Sequence, residues 1–119
     1  MFINISNHPS SNWFAAQANA AKEYGEIVDV VFPIIEAQST SSEVASLADQ
    51  FASDIVTKYN STTDVVHIMG EMTFTYALVK RLREAGFRCV ASTTERVKQQ
   101  LPDGSFISEF RFQSFRDYE

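Results

Sequence analysis

The chain reads as an α/β domain built on a mainly parallel sheet. Four short apolar, β-branched runs alternate with three helical patterns, which is the signature of strands joined by crossover helices. After a tight-turn signal the helical periodicity gives way to period-two patterning, so the tail reads as a β-hairpin. The expected strand order is 2-1-3-4, with the hairpin extending the edge beyond strand four.

Each element has its own reason. Phe2-Ile3-Asn4-Ile5-Ser6 is a short strand, stopped by the turn formers Asn7-His8-Pro9-Ser10-Ser11. Residues 12–24 are alanine-rich and free of Gly and Pro, so they read as a helix with Ser10, Ser11 or Asn12 as N-cap and Gly25 as its stop. Ile27 to Phe32 is almost continuously apolar, as a strand covered on both faces would be, and Pro33 ends it. Ser41-Ser42-Glu43 opens a helix over 41–59, in which Val44, Leu47, Ala48, Phe51, Ile55 and Tyr59 recur at helical spacing. Val65 to Met69 is a buried-type strand closed by Gly70. The third helix, 72–85, carries Phe74, Ala77, Leu78, Leu82 and Ala85 on one face and stops at Gly86. Phe87 to Ala91 is the fourth strand. Leu101-Pro102-Asp103-Gly104-Ser105 is the turn of a hairpin joining 97–101 to 105–113, with a helical Glu95–Leu101 as the alternative.

Composition limits the function. At 119 residues and 45% hydrophobic, the chain is expected to be one domain, 1–119, with a real core. No apolar run approaches the ~18 residues of a membrane span, and the first residues lack a signal-peptide pattern, so a cytoplasmic protein with no membrane partner is expected. Cys89 has no partner for a disulfide, and no Cys/His cluster is spaced for a metal. The net charge of −5 argues against a surface that coats duplex nucleic acid. Its distribution is uneven. Residues 1–79 hold Lys22 and Lys58 against nine acids, whereas residues 80–119 hold eight bases against six acids. An anionic ligand would be neutralised by the last third of the chain.

In a sheet of this order, ligands bind beyond the C-terminal strand ends where the winding reverses, here between strands one and three. Three segments meet there. Ser6-Asn7-His8-Pro9-Ser10-Ser11-Asn12-Trp13 is dense in small donors before a helix start, which suits a phosphate or carboxylate. His8 can donate a proton there and Trp13 can stack on a base, although helix capping and packing account for the same residues. Gly70-Glu71-Met72-Thr73-Phe74-Thr75 permits close backbone approach at Gly70 and offers hydroxyls at Thr73 and Thr75. Glu71 can bind a ribose hydroxyl, or act as a base if burial raises its pKa, and it equally suits a helix cap. Ser92-Thr93-Thr94-Glu95-Arg96 ends the fourth strand with three hydroxyls and a guanidinium whose fork matches two phosphate oxygens. There is no Walker loop and no GxGxxG, which disfavours ATP hydrolysis and dinucleotide redox chemistry. His67, inside an apolar strand, reads as a buried, neutral, hydrogen-bonded histidine, and Cys89 as a core residue. The Phe110-Arg111-Phe112 alternation can stack bases, but half-buried sheet packing explains it more simply.

Ser6-Asn7-His8, Gly70-Glu71-Met72-Thr73 and Ser92-Thr93-Thr94-Glu95-Arg96, placed on a small strand–helix domain, resemble the CRISPR-associated Rossmann-fold domains. Among these the chain looks most like the small stand-alone ring nucleases and related sensors of type III CRISPR systems. The resemblance is architectural along the whole chain, and its motifs are short. It implies a Rossmann-like three-layer sandwich and a homodimer whose two-fold cleft binds cyclic oligoadenylate. It further implies metal-independent cleavage, with no cofactor, in which a ribose 2′-hydroxyl is held in line with the neighbouring phosphate. The loops lack an obvious lysine, so catalysis would rest on Arg96, His8 and hydroxyls, with Glu71 as a further catalytic candidate. Ser6, Asn7, Ser10, Ser11, Trp13, Gly70, Met72, Thr73, Thr75, Ser92, Thr93 and Thr94 would then bind the ligand. The alternatives are a non-enzymatic nucleotide-binding or signalling domain of flavodoxin-like build and a small hydrolase on the same scaffold.

Overall fold

Phe2–Ser6 forms β1, the strand on which the sheet is centred, and all five of its residues are buried. The computed structural model describes residues 1–119. After β1 come α1 (Ala15–Lys22), β2 (Ile27–Asp29), α2 (Ser41–Lys58), β3 (Val65–Met69), α3 (Met72–Glu84), β4 (Arg88–Gln100) and β5 (Phe106–Asp117). The sheet order is β2-β1-β3-β4-β5. Its first three pairings are parallel and β4–β5 is antiparallel. This is the expected α/β arrangement with a C-terminal hairpin.

Side chains alternate across a strand, so each central strand feeds two cores. Ile3, Ile5, Val66, Ile68 and Cys89 pack with Val44, Ala48 and Ile55 of α2 and Phe74, Leu78 and Leu82 of α3. Phe2, Val65 and Val90 pack with Ala21, Trp13, Tyr24 and Phe115. The second set turns polar toward the C-terminal strand ends. Phe2 is followed on its face by Asn4 and Ser6, Val65 by His67, and Val90 by Ser92. Asn4, Ser6 and His67 are the buried polar residues of the molecule.

Local chemistry sets the helix ends. Thr40 and Glu43 form a reciprocal capping box at α2, each backbone N–H donating to the other side chain at 3.2 Å. Glu71 caps α3 by accepting from the N–H groups of Thr73 and Phe74. Gly86 follows α3 at φ +92°, a region that favours glycine.

Three expectations need correction. The first helix begins at Ala15, not residue 12, and ends at Lys22. Ser10–Asn12 is a 3-10 turn and Phe14 occupies the N-cap without a side-chain hydrogen bond. The cause is Asp29, whose carboxylate takes both the N–H and the hydroxyl of Ser10, at 3.0 and 2.6 Å, and holds that serine in the loop. The second strand stops at Asp29 and is an edge strand, half-buried rather than covered on both faces. Its last bond to β1 is Val30 N–H to the Asn4 carbonyl, and the chain then leaves the sheet, exposing Val31 and Ile34 by 86%.

The fourth strand does not end at Ala91 or within Ser92–Arg96. β4 runs on to Gln100 because β5 pairs with it from Val90↔Asp117 to Gln100↔Phe106, well past its last pairing with β3 at His67↔Val90. Strand four and the hairpin are therefore one ribbon, and a helix over Glu95–Leu101 is excluded. The turn falls at Pro102–Gly104 as expected, closed by Leu101 N–H to the Ser105 carbonyl at 2.7 Å, with Gly104 at φ +90°.

Gly70 is needed for a contact. A Cβ there would run into the ring of Phe32, which packs edge-on against Phe74 of the core at 5.3 Å. Gly70→Ala is expected to push Phe32 off Phe74 and destabilise the fold by about 1–3 kcal/mol, the usual cost of overpacking. Urea unfolding measures this, and a midpoint equal to wild type would show that Phe32 can move freely.

Candidate functional site at the strand ends

The polar end of the second face is wired together by one amide. Asn4 donates from Nδ2 to Asp29 Oδ1 at 2.9 Å and to the His8 carbonyl at 3.0 Å. Both partners only accept, so the amide oxygen must point the other way. There it receives the Ser6 hydroxyl at 2.8 Å and meets His67 Nδ1 at 2.9 Å. An amide oxygen cannot donate, so Nδ1 carries the imidazole hydrogen and Nε2 is left as an acceptor. Nε2 lies 3.2 Å from Ser92 Oγ.

The environment matches this assignment. His67 is 2% exposed, its ring set against Phe2, Trp13 and Phe115 with centroids 5.5–5.8 Å away. Burial pushes its pKa down to about 4, so it is neutral at physiological pH. At Asp29 burial raises the carboxyl pKa, but the hydrogen bonds from Ser10 and Asn4 more than offset it, leaving the group below the ordinary carboxylate range. The His8 carbonyl also takes Trp13 Nε1–H at 3.2 Å, which fixes the loop after β1.

Above this network lies a cleft of about 580 Å³. Its floor includes Ser6, His67 and Ser92, and its walls include Trp13, Phe14, Phe110 and Phe112. No lysine or arginine lines it. The N-terminus of α1 opens toward it at Phe14 and Gln17 with no side-chain cap. A second cleft of about 610 Å³ shares Met69 and Gly70 with the first. It carries Thr75, Tyr76, Lys80 and Arg83, and the Thr75 hydroxyl is buried with no hydrogen-bond partner.

Ser6, Asn7, His8, Trp13, Gly70, Ser92 and Thr94 come together in the first cleft, and Met72 and Thr75 join Gly70 in the second. The other anticipated residues lie elsewhere. Ser10 is bound to Asp29, and Ser11 is exposed outside both clefts. The Thr73 hydroxyl is bonded to Glu71, and Thr93 pairs across the ribbon with Ser114 at 3.0 Å. Arg96 sits on the projecting ribbon, with its guanidinium on the Ser108 hydroxyl at 3.2–3.3 Å. Glu71 is occupied as a cap, and hydrogen bonds from Phe74 and Thr73 lower its pKa, the reverse of what a buried base needs.

His67 is buried, neutral and hydrogen-bonded as expected, but it also lines a cleft. Asn4, Asp29, Lys80 and Arg83 were not anticipated in the site. A signal existed for the first, because Asn4 and His67 are polar interruptions of apolar strands and pair directly in register. Phe110, 62% exposed on the ribbon, is a wall of the cleft rather than a packing residue. Cys89 lies in the opposite core, and burial pushes its thiol up to about 12. No group of three or more His, Cys, Asp or Glu side chains is arranged to hold a metal ion. No helix is long and apolar enough to cross a membrane.

A family model described as the uncharacterized protein MJ1673 family matches residues 1–116. No curated protein and no solved structure matches the chain.

The His67 environment predicts acid lability. Its folded pKa lies below its ordinary 6.5, so the unfolded chain binds more protons between pH 6.5 and about 4. The contribution is complete above 6.5 and is lost as the pH falls toward 4, by on the order of 3 kcal/mol. Asp29, with its lowered pKa, adds a loss in the same direction at lower pH. Urea midpoints at about pH 7 and about pH 4.5 measure the first step. Equal midpoints would mean that His67 protonates without cost in the fold.

Proposed function

The chain belongs to the uncharacterized protein MJ1673 family, and from its two joined clefts we propose that it binds a cyclic oligoadenylate second messenger of type III CRISPR signalling and cleaves it without a metal ion. The observation that carries the reading is the division of labour across Met69 and Gly70. One cleft offers aromatic faces and hydroxyls and no cation, as adenine and ribose require. The adjoining cleft offers Lys80, Arg83 and the unpartnered Thr75 hydroxyl as donors for phosphates, with Glu119 as the acidic residue of its lining. The uncapped α1 N-terminus adds backbone donors for an anion. Met69 and Gly70 line both clefts, so a single ligand can span the two.

In this reading the Rossmann-like, three-layer domain is a cytoplasmic homodimer. A single small domain does not enclose a multi-phosphate ring, and a two-fold axis doubles every donor. Met72 and Tyr76 on α3, 82% and 71% exposed on the wall of the second cleft, offer apolar surface for the second copy. His8 lies in the cleft as the candidate proton donor. A non-catalytic, flavodoxin-like nucleotide-binding domain is the second reading. It is favoured by the engagement of Glu71 and Arg96 in contacts within the chain.

Calorimetry with cyclic oligoadenylates of different ring size, mononucleotides and flavins separates the two. Saturable binding of a cyclic oligoadenylate, with linear product on incubation, is expected. Binding of a mononucleotide or flavin alone would favour the second reading. Arg83→Ala is expected to lower affinity at least about tenfold through loss of a charge-assisted contact. Phe110→Ala should weaken binding about 5–100-fold through lost stacking while leaving stability nearly unchanged. Arg96→Ala tests the clamp on the ribbon, and unchanged affinity removes that residue from the site. Light scattering should give a dimer, and a monomer with and without ligand would refute the two-fold cleft.

A further inference from the structure

We propose that Asn4, His67 and Ser92 are the orienter, base and nucleophile of a serine-ester site on the floor of the aromatic cleft. This activity goes beyond the oligoadenylate reading and does not depend on it. The three side chains come from adjacent parallel strands and lie on one face of the sheet. Asn4 pairs with His67, His67 with Val90, and Ser92 follows Val90 on the same face. Asp29 and the His8 carbonyl hold the Asn4 amide, Asn4 Oδ1 holds His67 Nδ1–H at 2.9 Å, and Nε2 faces Ser92 Oγ at 3.2 Å. Nucleophile, base and a third group that orients the base are the geometric requirements of covalent catalysis by serine.

The Ser92 hydrogen has two acceptors within reach, His67 Nε2 and the Met69 sulfur at 2.9 Å. A thioether is a weak acceptor and an imidazole nitrogen a strong one, so the hydrogen belongs on the His67 side. Met69 sulfur also receives the Ser92 backbone N–H at 3.2 Å, which pins the strand end. The base is uncharged at neutral pH, as it must be to accept a proton. His67 and Ser92 both line the cleft, so the relay opens onto it instead of being sealed in the core.

The lining identifies the substrate class. The cleft has aromatic walls and no lysine or arginine, so it suits an uncharged carboxylic ester with an apolar or aromatic group. Asn7 and Asn12 are among the residues that line the same cleft, and a side-chain amide is a donor suited to a developing oxyanion. In the first step Ser92 Oγ bonds to the carbonyl carbon and its proton passes to His67 Nε2. The ester C–O bond then breaks, and the alcohol leaves with that proton. Water attacks the acyl-serine with His67 again as base, releasing the carboxylic acid and regenerating Ser92.

The test is covalent labelling of the full chain with a fluorophosphonate, which traps an activated serine as a phosphonyl ester with release of fluoride. Peptide mapping by mass spectrometry should place the label on Ser92 and leave Ser10 and Ser11 unmodified. Ser92→Ala should take no label and should lose turnover of a p-nitrophenyl ester. His67→Gln should label at least about a hundredfold more slowly, the usual worth of a general base. A wild-type chain that takes no label, or takes it elsewhere, overturns the proposal, as does labelling of His67→Gln at the wild-type rate. Should His67→Gln fail to fold, the wild-type mapping decides alone, because an unactivated serine does not react. Oligoadenylate binding is measured separately, so neither result stands in for the other.

Discussion

The hydrogen bonding of Asn4 constrains the whole polar end of this protein. A buried amide left without partners costs about 1–3 kcal/mol for each unsatisfied group, so its bonds are obligatory. Asn4 sits on the central strand and uses both ends of its side chain. Through Asp29 it ties in the edge strand, through the His8 carbonyl the first loop, and through His67 the next strand and then Ser92. Four adjacent strands are thus set in place at one level, and the tautomer of His67 follows from the same bonds.

The position of α1 is a consequence. Asp29 accepts from Asn4 and also holds Ser10, so the small donors before the helix serve the sheet and not the helix end. The helix starts late and uncapped, leaving the strand ends uncovered on that face. On the opposite face α2 and α3 close over a continuous apolar core. The asymmetry between a closed apolar face and a half-open polar one places the first cleft where it is.

The ribbon completes that cleft by an irregularity in its pairing. Thr93 pairs with Ser114 but Thr94 pairs with Phe112, so Gln113 is an extra residue in β5. An added residue shifts the alternation of faces. Phe115 therefore packs into the core while Phe112, three residues before it, lies on the same side with ring centroids 4.9 Å apart. Phe110 and Phe112 reach the cleft wall through this shift. At the base of the ribbon Arg88 is bonded to Asp117 at 2.6 Å and lies over the Tyr24 ring, joining β4, β5 and the end of the first helical segment.

Hydrophobic periodicity, turn residues and caps by themselves determined the element order, the parallel sheet, the hairpin turn at Pro102–Gly104 and the location of a cleft at the reversal between β1 and β3. These are local signals: a helical stripe, an apolar run and a proline–glycine turn can be read within a few residues. Which polar residues face the clefts was set by contacts between distant parts of the chain. Ser10 was equally suited to capping and to binding until Asp29, nineteen residues away, claimed it. The run Ser92–Arg96 read as the end of a strand because the partner that carries it on, β5, follows a turn and lies on only one side. His67 looked like an ordinary buried histidine because its partners, Asn4 and Ser92, lie 63 and 25 residues away. Propensity acts between neighbours in sequence, whereas hydrogen-bond partners and cleft walls are assigned by neighbours in space.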